Sequence, residues 1–349
     1  MKSIQEIDAN FKVNKTIGKS DVRFYDVLEA PFRVYGVFYQ DGKFRRLPQA
    51  VAEAVSEGVR ELHAHTAGGR VRFHTNSTYV AIHADMPCIS KMSHFPLTGS
   101  GGFDLYVNVN GEEHYVRTFV PPFNVVDSYE EVIELGEGEH EVTIHFPLYS
   151  EVSRLYIGLR ETATVSAPVP YLEGEPIVYY GSSITQGGCA SRAGNAYQNI
   201  LSRALRRDHV NLGFSGSAKA EDEMIEYIAS LPMSMFVCDY DHNAPTVEHL
   251  RATHEKLVSA VRKTHPTIPI VMLSRPKFRI TAEEEERLEI IKTTYRKAKA
   301  AGDENVYLVS GQALMAMAGD EGTVDNCHPN DLGFTSMAKA LLPLFENIL

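Results

Sequence analysis

Cysteine is scarce in this chain: Cys88, Cys189, Cys238 and Cys327 stand far apart. That spacing offers neither a disulfide framework nor the paired CxxC ligands of a zinc site, and it points to free thiols in a reducing compartment. Positive charge is also short. With 34 Lys and Arg against 45 Asp and Glu the formal charge is −11, and no long basic run occurs. A surface built for nucleic acid or anionic membrane needs clustered cations, so neither is an expected partner. No window is apolar enough to span a bilayer, and Met1 to Asp8 has none of the apolar core of a secretory leader, so the expected location is cytoplasmic. Internal repeats and low-complexity tracts are missing too. At 349 residues the chain is long enough for about two domains, each with its own core.

What is there falls into two periodicities. Between about residues 20 and 165, Val71, Phe73 and Thr75 alternate with Arg70, Arg72 and His74, and Val142, Ile144 and Phe146 alternate with Glu141, Thr143 and His145. A period of two makes half-buried strands. Leu105, Val107 and Val109 lead into Asn110-Gly111, a dipeptide favoured in tight hairpins, and Tyr115 to Phe119 returns. Many short strands with turn signals predict a β-sandwich or jelly roll over residues 1–165. The Pro- and Gly-bearing stretch 166–175 reads as a linker. Over 176–349, apolar runs at about 209–213, 234–239, 268–274 and 305–309 alternate with helical stripes. One stripe is Tyr197, Ile200, Leu201, Ala204 and Leu205; another, Leu288, Ile291, Tyr295 and Ala298, opens on a Thr281–Glu284 capping box. Such alternation predicts an α/β domain whose parallel sheet is covered on both faces.

Ile177 to Tyr180 form a β-branched and aromatic run that meets the small-residue turn Gly181-Ser182-Ser183-Ile184-Thr185-Gln186-Gly187. If the run is a buried parallel strand, Ser183 stands at its carboxyl end, facing a crevice with backbone N–H groups nearby. A serine hydroxyl needs a histidine to take its proton and a carboxylate to orient that histidine. Asp325-Asn326-Cys327-His328 offers both within one short loop. Other residues carry weaker signals. His63 and His65 alternate on an expected surface strand without a third metal ligand, and His249 and His254 miss the i, i+4 spacing of a zinc-binding helix. Cys189 and Cys327 flank the chemistry as oxidation-sensitive thiols or small fillers. Arg275, after the run Ile270 to Leu273, and His94, in the loop from Ser93 to Gly102, are placed to meet a substrate. No metal or organic cofactor is called for.

With these blocks, residues 176–349 resemble an SGNH/GDSL hydrolase. Gly181 to Gly187 is similar to the nucleophile block and Asp325 to His328 to the Asp-x-x-His block. Asn211-Leu212-Gly213-Phe214-Ser215-Gly216 resembles the block whose glycine, here Gly216, gives a backbone N–H to the oxyanion. Asp239-Tyr240-Asp241-His242-Asn243 resembles the block whose asparagine, here Asn243, gives its side-chain amide. Two departures stand out: Ser182 replaces the usual Asp, and Asp241-His242-Asn243-Ala244 replaces Gly-x-Asn-Asp. Upstream, Gly102-Phe103-Asp104-Leu105-Tyr106 is similar to the Gly-x-Asp-Leu-Tyr motif of a β-domain found ahead of some SGNH esterases, and Pro147-Leu148-Tyr149 and Thr66 to Ser77 fit the same group.

The resemblance implies a flavodoxin-like three-layer catalytic domain behind a jelly-roll-like domain. It implies a serine esterase with the triad Ser183, Asp325 and His328 and an oxyanion hole of Ser183, Gly216 and Asn243. The implied substrate is a small-molecule or oligosaccharide ester, with acetyl on a carbohydrate or glycoside as the leading case. Acyl transfer or thioester hydrolysis on the same scaffold is the second reading, and a carbohydrate-binding protein with a decayed hydrolase site the third. Exposed strand edges would permit homo-oligomers.

Overall fold

The computed structural model describes residues 17–349. The expectations for Met1 to Asp8, and the expected domain start at residue 1, lie outside the described residues. Two large antiparallel sheets occupy the first half, beside a two-stranded hairpin, Phe38–Gln40 with Lys43–Arg45. One runs in the order Val22–Asp26, Arg154–Arg160, Tyr79–Asp85, Ser128–Glu134. The other runs Val165–Ser166, Arg70–Thr75, His140–His145, Phe103–Val109, Glu112–Phe119, with Arg33–Tyr35 also on Arg70–Thr75. Val71, Phe73, Leu105 and Ile144 from the second sheet meet Val80, Ile82, Leu155 and Ile157 from the first in one buried cluster. Inner faces packed in this way make a sandwich. Asn110 and Gly111 turn the hairpin with φ of 56° and 94°, the left-handed pair that a type I′ turn requires.

The polar residues that alternate along the second sheet are not left to water. Arg70 is fully buried and Arg72 is 5% exposed, because the second half of the chain packs on that face. The Gly-x-Asp-Leu-Tyr segment serves both sides. Phe103 and Leu105 enter the sandwich core, while Asp104 accepts from the Gly194 N–H at 2.6 Å and from Thr118 Oγ1 at 2.8 Å. Tyr106 meets Arg192, and a Cβ on Gly194 would stand 2.2 Å from the Tyr106 hydroxyl. Glycine there is what admits the ring. The strand expected through His63 and His65 is absent. Ser56 instead N-caps a helix, Glu57–Leu62, by accepting from the Val59 N–H, and His63 ends it. The cap and the acidic first turn outweigh the two-residue alternation.

Five parallel strands follow in the order His209–Gly213, Ile177–Gly181, Met235–Asp239, Ile270–Leu273, Val306–Val309. Ile177 and Tyr179 pack with helices Tyr197–Leu205 and Asp331–Ile348 on one face. Val178 and Tyr180 pack with Asp222–Ser230, Val247–Thr264 and Ala282–Ala300 on the other. The capping box forms at Thr281 and Glu284, with both of its bonds present. In chain order the sheet reads 2-1-3-4-5, and its direction of winding reverses beside Ile177–Gly181. An open α/β sheet leaves a crevice at the carboxyl edge of that position.

Arg46, from the first half, crosses to this sheet. It is 2% exposed, with Nε donating to the His65 carbonyl at 2.5 Å and Nη2 to that of Leu62 at 2.7 Å. Its Nη1 donates to the carbonyls of Asn211 and Gly213 at 3.1 and 2.6 Å, and the guanidinium lies 4.9 Å over the Phe214 ring. Burial brings its pKa down to about 9, so it remains charged at neutral pH. In Arg46→Met these carbonyls lose their donor, and at roughly 1 kcal/mol or more per bond the loss is expected to reach about 4 kcal/mol. Urea unfolding checks this, and an unchanged midpoint would contradict it.

Candidate active site

The strand Ile177–Gly181 stops where a Cβ on Gly181 would stand 2.1 Å from the Asp239 carbonyl oxygen. Ser182 then caps the short helix Ser183–Gln186 by accepting from the Ile184 N–H at 3.1 Å. Hydroxyl and carboxylate are both good N-caps, so serine fills the position usually held by Asp. Ser183 is 5% exposed. Its carbonyl is fixed by the Gly188 N–H at 2.8 Å and, from the sandwich half, by the Tyr149 hydroxyl at 3.2 Å.

His328 Nε2 lies 2.9 Å from Ser183 Oγ, and its Nδ1 lies 2.8 Å from Asp325 Oδ2. Asp325 Oδ1 accepts the N–H groups of Cys327 and His328 at 3.1 and 2.7 Å. Asn326 takes φ 63°, which lets the loop fold back over its own carboxylate. The three side chains thus form one hydrogen-bonded row.

Two further loops follow the strands that flank Ile177–Gly181. Gly216 has φ 66°, and a Cβ there would meet nothing within 4 Å, so the backbone angle and not crowding in the fold calls for glycine. Ser215 N–H donates to Gln186 Oε1 at 3.0 Å, and Gln186 Nε2 meets the Leu148 carbonyl at 3.2 Å and His65 Nδ1 at 3.3 Å. Gly58, on the helix Glu57–Leu62, presses on the same loop: a Cβ there would stand 2.1 Å from Ser217 Oγ. Asn243 Oδ1 accepts the Ala218 N–H at 3.4 Å, which leaves the Nδ2 end of the amide as the donor. Beneath it, Asp241 accepts the N–H groups of His242 and Arg275 at 2.8 and 3.1 Å, and Arg287 donates to the Asp241 and Ala244 carbonyls at 2.7 and 3.0 Å. These bonds do the bracing that the altered Asp241–Ala244 sequence leaves in question.

Arg275 differs from the sequence expectation. Its guanidinium is bound to Glu284 Oε1 at 2.5 Å, because the capping box sets that carboxylate at the start of the adjoining helix. The side chain is thus paired and is not a free cation, and it is the Arg275 backbone N–H that holds the Asn243 loop, through Asp241. His94 is exposed, its ring 6.0 Å from that of His328, and it borders a trough of about 710 Å³ lined by Phe95, Leu97, Phe123 and Val324. His65 is buried and its pKa is lowered to about 3, by desolvation first and Arg46 second. His249 and His254 are helical, His254 buried and stacked on Tyr240. His94, Cys189 and His328 approach within metal-ligand range, as do Asp325, Cys327 and His328. Both nitrogens of His328 are already engaged by Ser183 and Asp325.

Residues 174–346 match the GDSL-like lipase/acylhydrolase family, and residues 22–165 match the N-terminus of the SGNH-hydrolase-type esterases. The chain belongs to the SGNH/GDSL hydrolases. A protein described as a GDSL-like lipase from Bacteroides ovatus is 28% identical, with a TM-score of 0.84 over 94% of this chain and 98% of its own. The salicylyl-acyltransferase SsfX3 of a tetracycline biosynthetic pathway shares the fold at 20% identity and a TM-score of 0.77, over 95% of this chain and 99% of its own. A family two carbohydrate esterase from Cellvibrio japonicus does so at 14% and 0.61, over 94% and 98%. No curated protein matches the chain in sequence, and no helix among the described residues is long and apolar enough to cross a membrane.

This SGNH hydrolase is an esterase of the acylhydrolase type, and its site carries neighbours that sequence reading did not single out. Tyr149 lay within a noted Pro-Leu-Tyr segment and Gln186 within the nucleophile block, but neither signalled its contact. His242 Nε2 lies 3.2 Å from Cys327 Sγ. Burial works against the thiolate, yet His242 and His328 outweigh it and bring Cys327 down to about 5. The Cys327 sulfur in turn, and after it Asp325, raise His328 to about 9 against the cost of burial. Asp325 itself is held below its ordinary value by the His328 N–H and ring, which outweigh partial burial. A raised imidazole keeps its proton until the pH climbs through its own pKa. In an NMR titration the His328 midpoint is expected above that of an ordinary imidazole, and lower in Cys327→Ala than in the wild type. An identical curve in the variant would remove the sulfur from the account.

Proposed function

We propose that this enzyme hydrolyses short acyl esters, acetyl foremost, of a carbohydrate or glycoside through an acyl-enzyme on Ser183. The observation that carries the reading is the row of hydrogen bonds Ser183 Oγ–His328–Asp325, at 2.9 and 2.8 Å. In its neutral form His328 takes the Ser183 proton as the oxygen attacks the ester carbonyl, and Asp325 stabilises the imidazolium that results. The carbonyl oxygen gains negative charge and is met by the N–H groups of Ser183 and Gly216 and by Asn243 Nδ2. Such donors are worth most where charge develops. His328 then hands its proton to the departing alcohol oxygen, and a water activated by the same imidazole releases the acid. The sugar part of the reading draws its support from the fold shared with a carbohydrate esterase.

Acyl transfer is the second reading. The trough beside His94 is lined largely by apolar side chains, Phe123 is 87% exposed on its rim, and the fold is shared with an acyltransferase. An acceptor seated there would intercept the acyl-enzyme in place of water.

Release of acid from p-nitrophenyl acetate and from an acetylated oligosaccharide tests the proposal. Ser183→Ala is expected to lose about a thousandfold or more in kcat, and Asn243→Ala about a hundredfold. Equal rates in wild type and Ser183→Ala would end it. Adding an alcohol acceptor separates the two readings, since a hydrolase yields free acid and a transferase mainly the new ester.

A further inference from the structure

A cavity of about 230 Å³ lies away from the serine, between the sandwich, the segment after it and the helix Tyr197–Leu205. Arg72, Glu113, Glu141, Tyr171, Arg203 and Arg206 line it. The site is built on the sheet face that the second half of the chain covers. Arg72 lies 4.4 Å over the Tyr171 ring and Arg203 4.4 Å over that of Tyr106, so both guanidinium planes are held by aromatic faces. Arg206 ends the helix with φ 53°.

The two carboxylates are already turned to protein donors. Glu141 Oε1 accepts from Arg72 Nη2 at 3.3 Å and from the Val169 N–H at 2.8 Å, and Glu113 Oε1 accepts from Thr143 Oγ1 at 2.6 Å. Arg72 Nε is spent on Thr143 Oγ1 at 3.2 Å. What remains are donors. Arg72 Nη1 and Arg203 Nη1 are both buried and have no acceptor among the described residues, and Arg72 as a whole is 95% buried by its 5% exposure. Three arginines against two glutamates also leave one positive charge in excess. A buried donor without an acceptor is costly, and both of these guanidinium groups belong to residues that line a cavity of net positive charge, which favours negatively charged oxygens there.

We infer that this cavity binds a small anion through a single carboxylate or phosphate group, bridging Arg72 on the sandwich and Arg203 on the hydrolase helix. Its volume is below that of pockets for drug-sized ligands, roughly 300 Å³ and more, so the anionic end of a compact molecule fills it. Planar guanidinium forks suit both oxyanions. Because the ligand touches both halves of the chain, its binding stabilises their junction by mass action.

The experiment uses the full-length Ser183→Ala protein, so that its outcome is independent of the esterase reading. Inorganic phosphate and acetate are titrated separately by calorimetry against a sodium chloride background of equal ionic strength, with thermal unfolding followed in parallel. The expected result is saturable one-to-one binding of at least one of them with a rise in Tm, and a weakening of about tenfold or more in Arg203→Gln. Binding of phosphate alone identifies a phosphorylated ligand, and binding of acetate alone identifies a carboxylic acid. Arg203 is only partly buried, so its variant is expected to fold, and circular dichroism checks that it does. No preference for either anion over chloride, or equal affinity in the folded Arg203→Gln protein, overturns the inference.

Discussion

A single buried guanidinium, that of Arg46, sets where the catalytic loops can lie. Its donors are divided between carbonyls of the helix-bearing segment before residue 66 and carbonyls of the strand His209–Gly213. A charge taken out of water is tolerated only when its hydrogen bonds are complete, so the two segments are held in one relative position or the residue pays heavily. The strand so fixed runs directly into Phe214, Ser215 and Gly216. The aim of the proposed oxyanion donor thus begins with an ion in the seam, two steps removed from the atoms proposed to react.

The same seam is polar over much of its extent. Asp104 on Gly194 N–H, Tyr149 on the Ser183 carbonyl, and Gln186 reaching Leu148 and His65 all join the sandwich to the hydrolase by directional bonds. Apolar contact would hold two domains together with little say over their angle. Hydrogen bonds at defined atoms set the angle as well, and Ser183, whose own carbonyl is one of those atoms, inherits the precision. Hydrogen bonding near the site also extends to Cys327, whose sulfur lies 3.2 Å from His242 Nε2.

Local patterns made much of this legible in the sequence. The period of two in Val71 to Thr75, the Asn110-Gly111 turn, the Thr281–Glu284 box and the alternation of strand and helix after residue 176 each depend on near neighbours, and near neighbours are what periodicity reports. The blocks around Ser183 and His328 were readable for the same reason, since each is compact. What escaped depends on remote packing. Nothing adjacent to Arg70 or Arg72 says that a second domain will cover them, and nothing adjacent to Arg275 says that a capping carboxylate will claim it. His63 and His65 misled because two alternating positions outweighed a serine cap a few residues earlier. Tyr149 was visible as a motif but not as a donor to the nucleophile's carbonyl, a bond between residues 34 apart.

The contact of Gly58 with Ser217 carries a consequence for how such proteins change. Because a Cβ on Gly58 would meet the Ser217 side chain, the two halves are fitted to each other at the loop of the proposed oxyanion donor and are poor candidates for exchange as interchangeable cassettes. A chimera inherits a working catalytic loop only when the partner that shapes it travels along, so the unit of inheritance here is the pair.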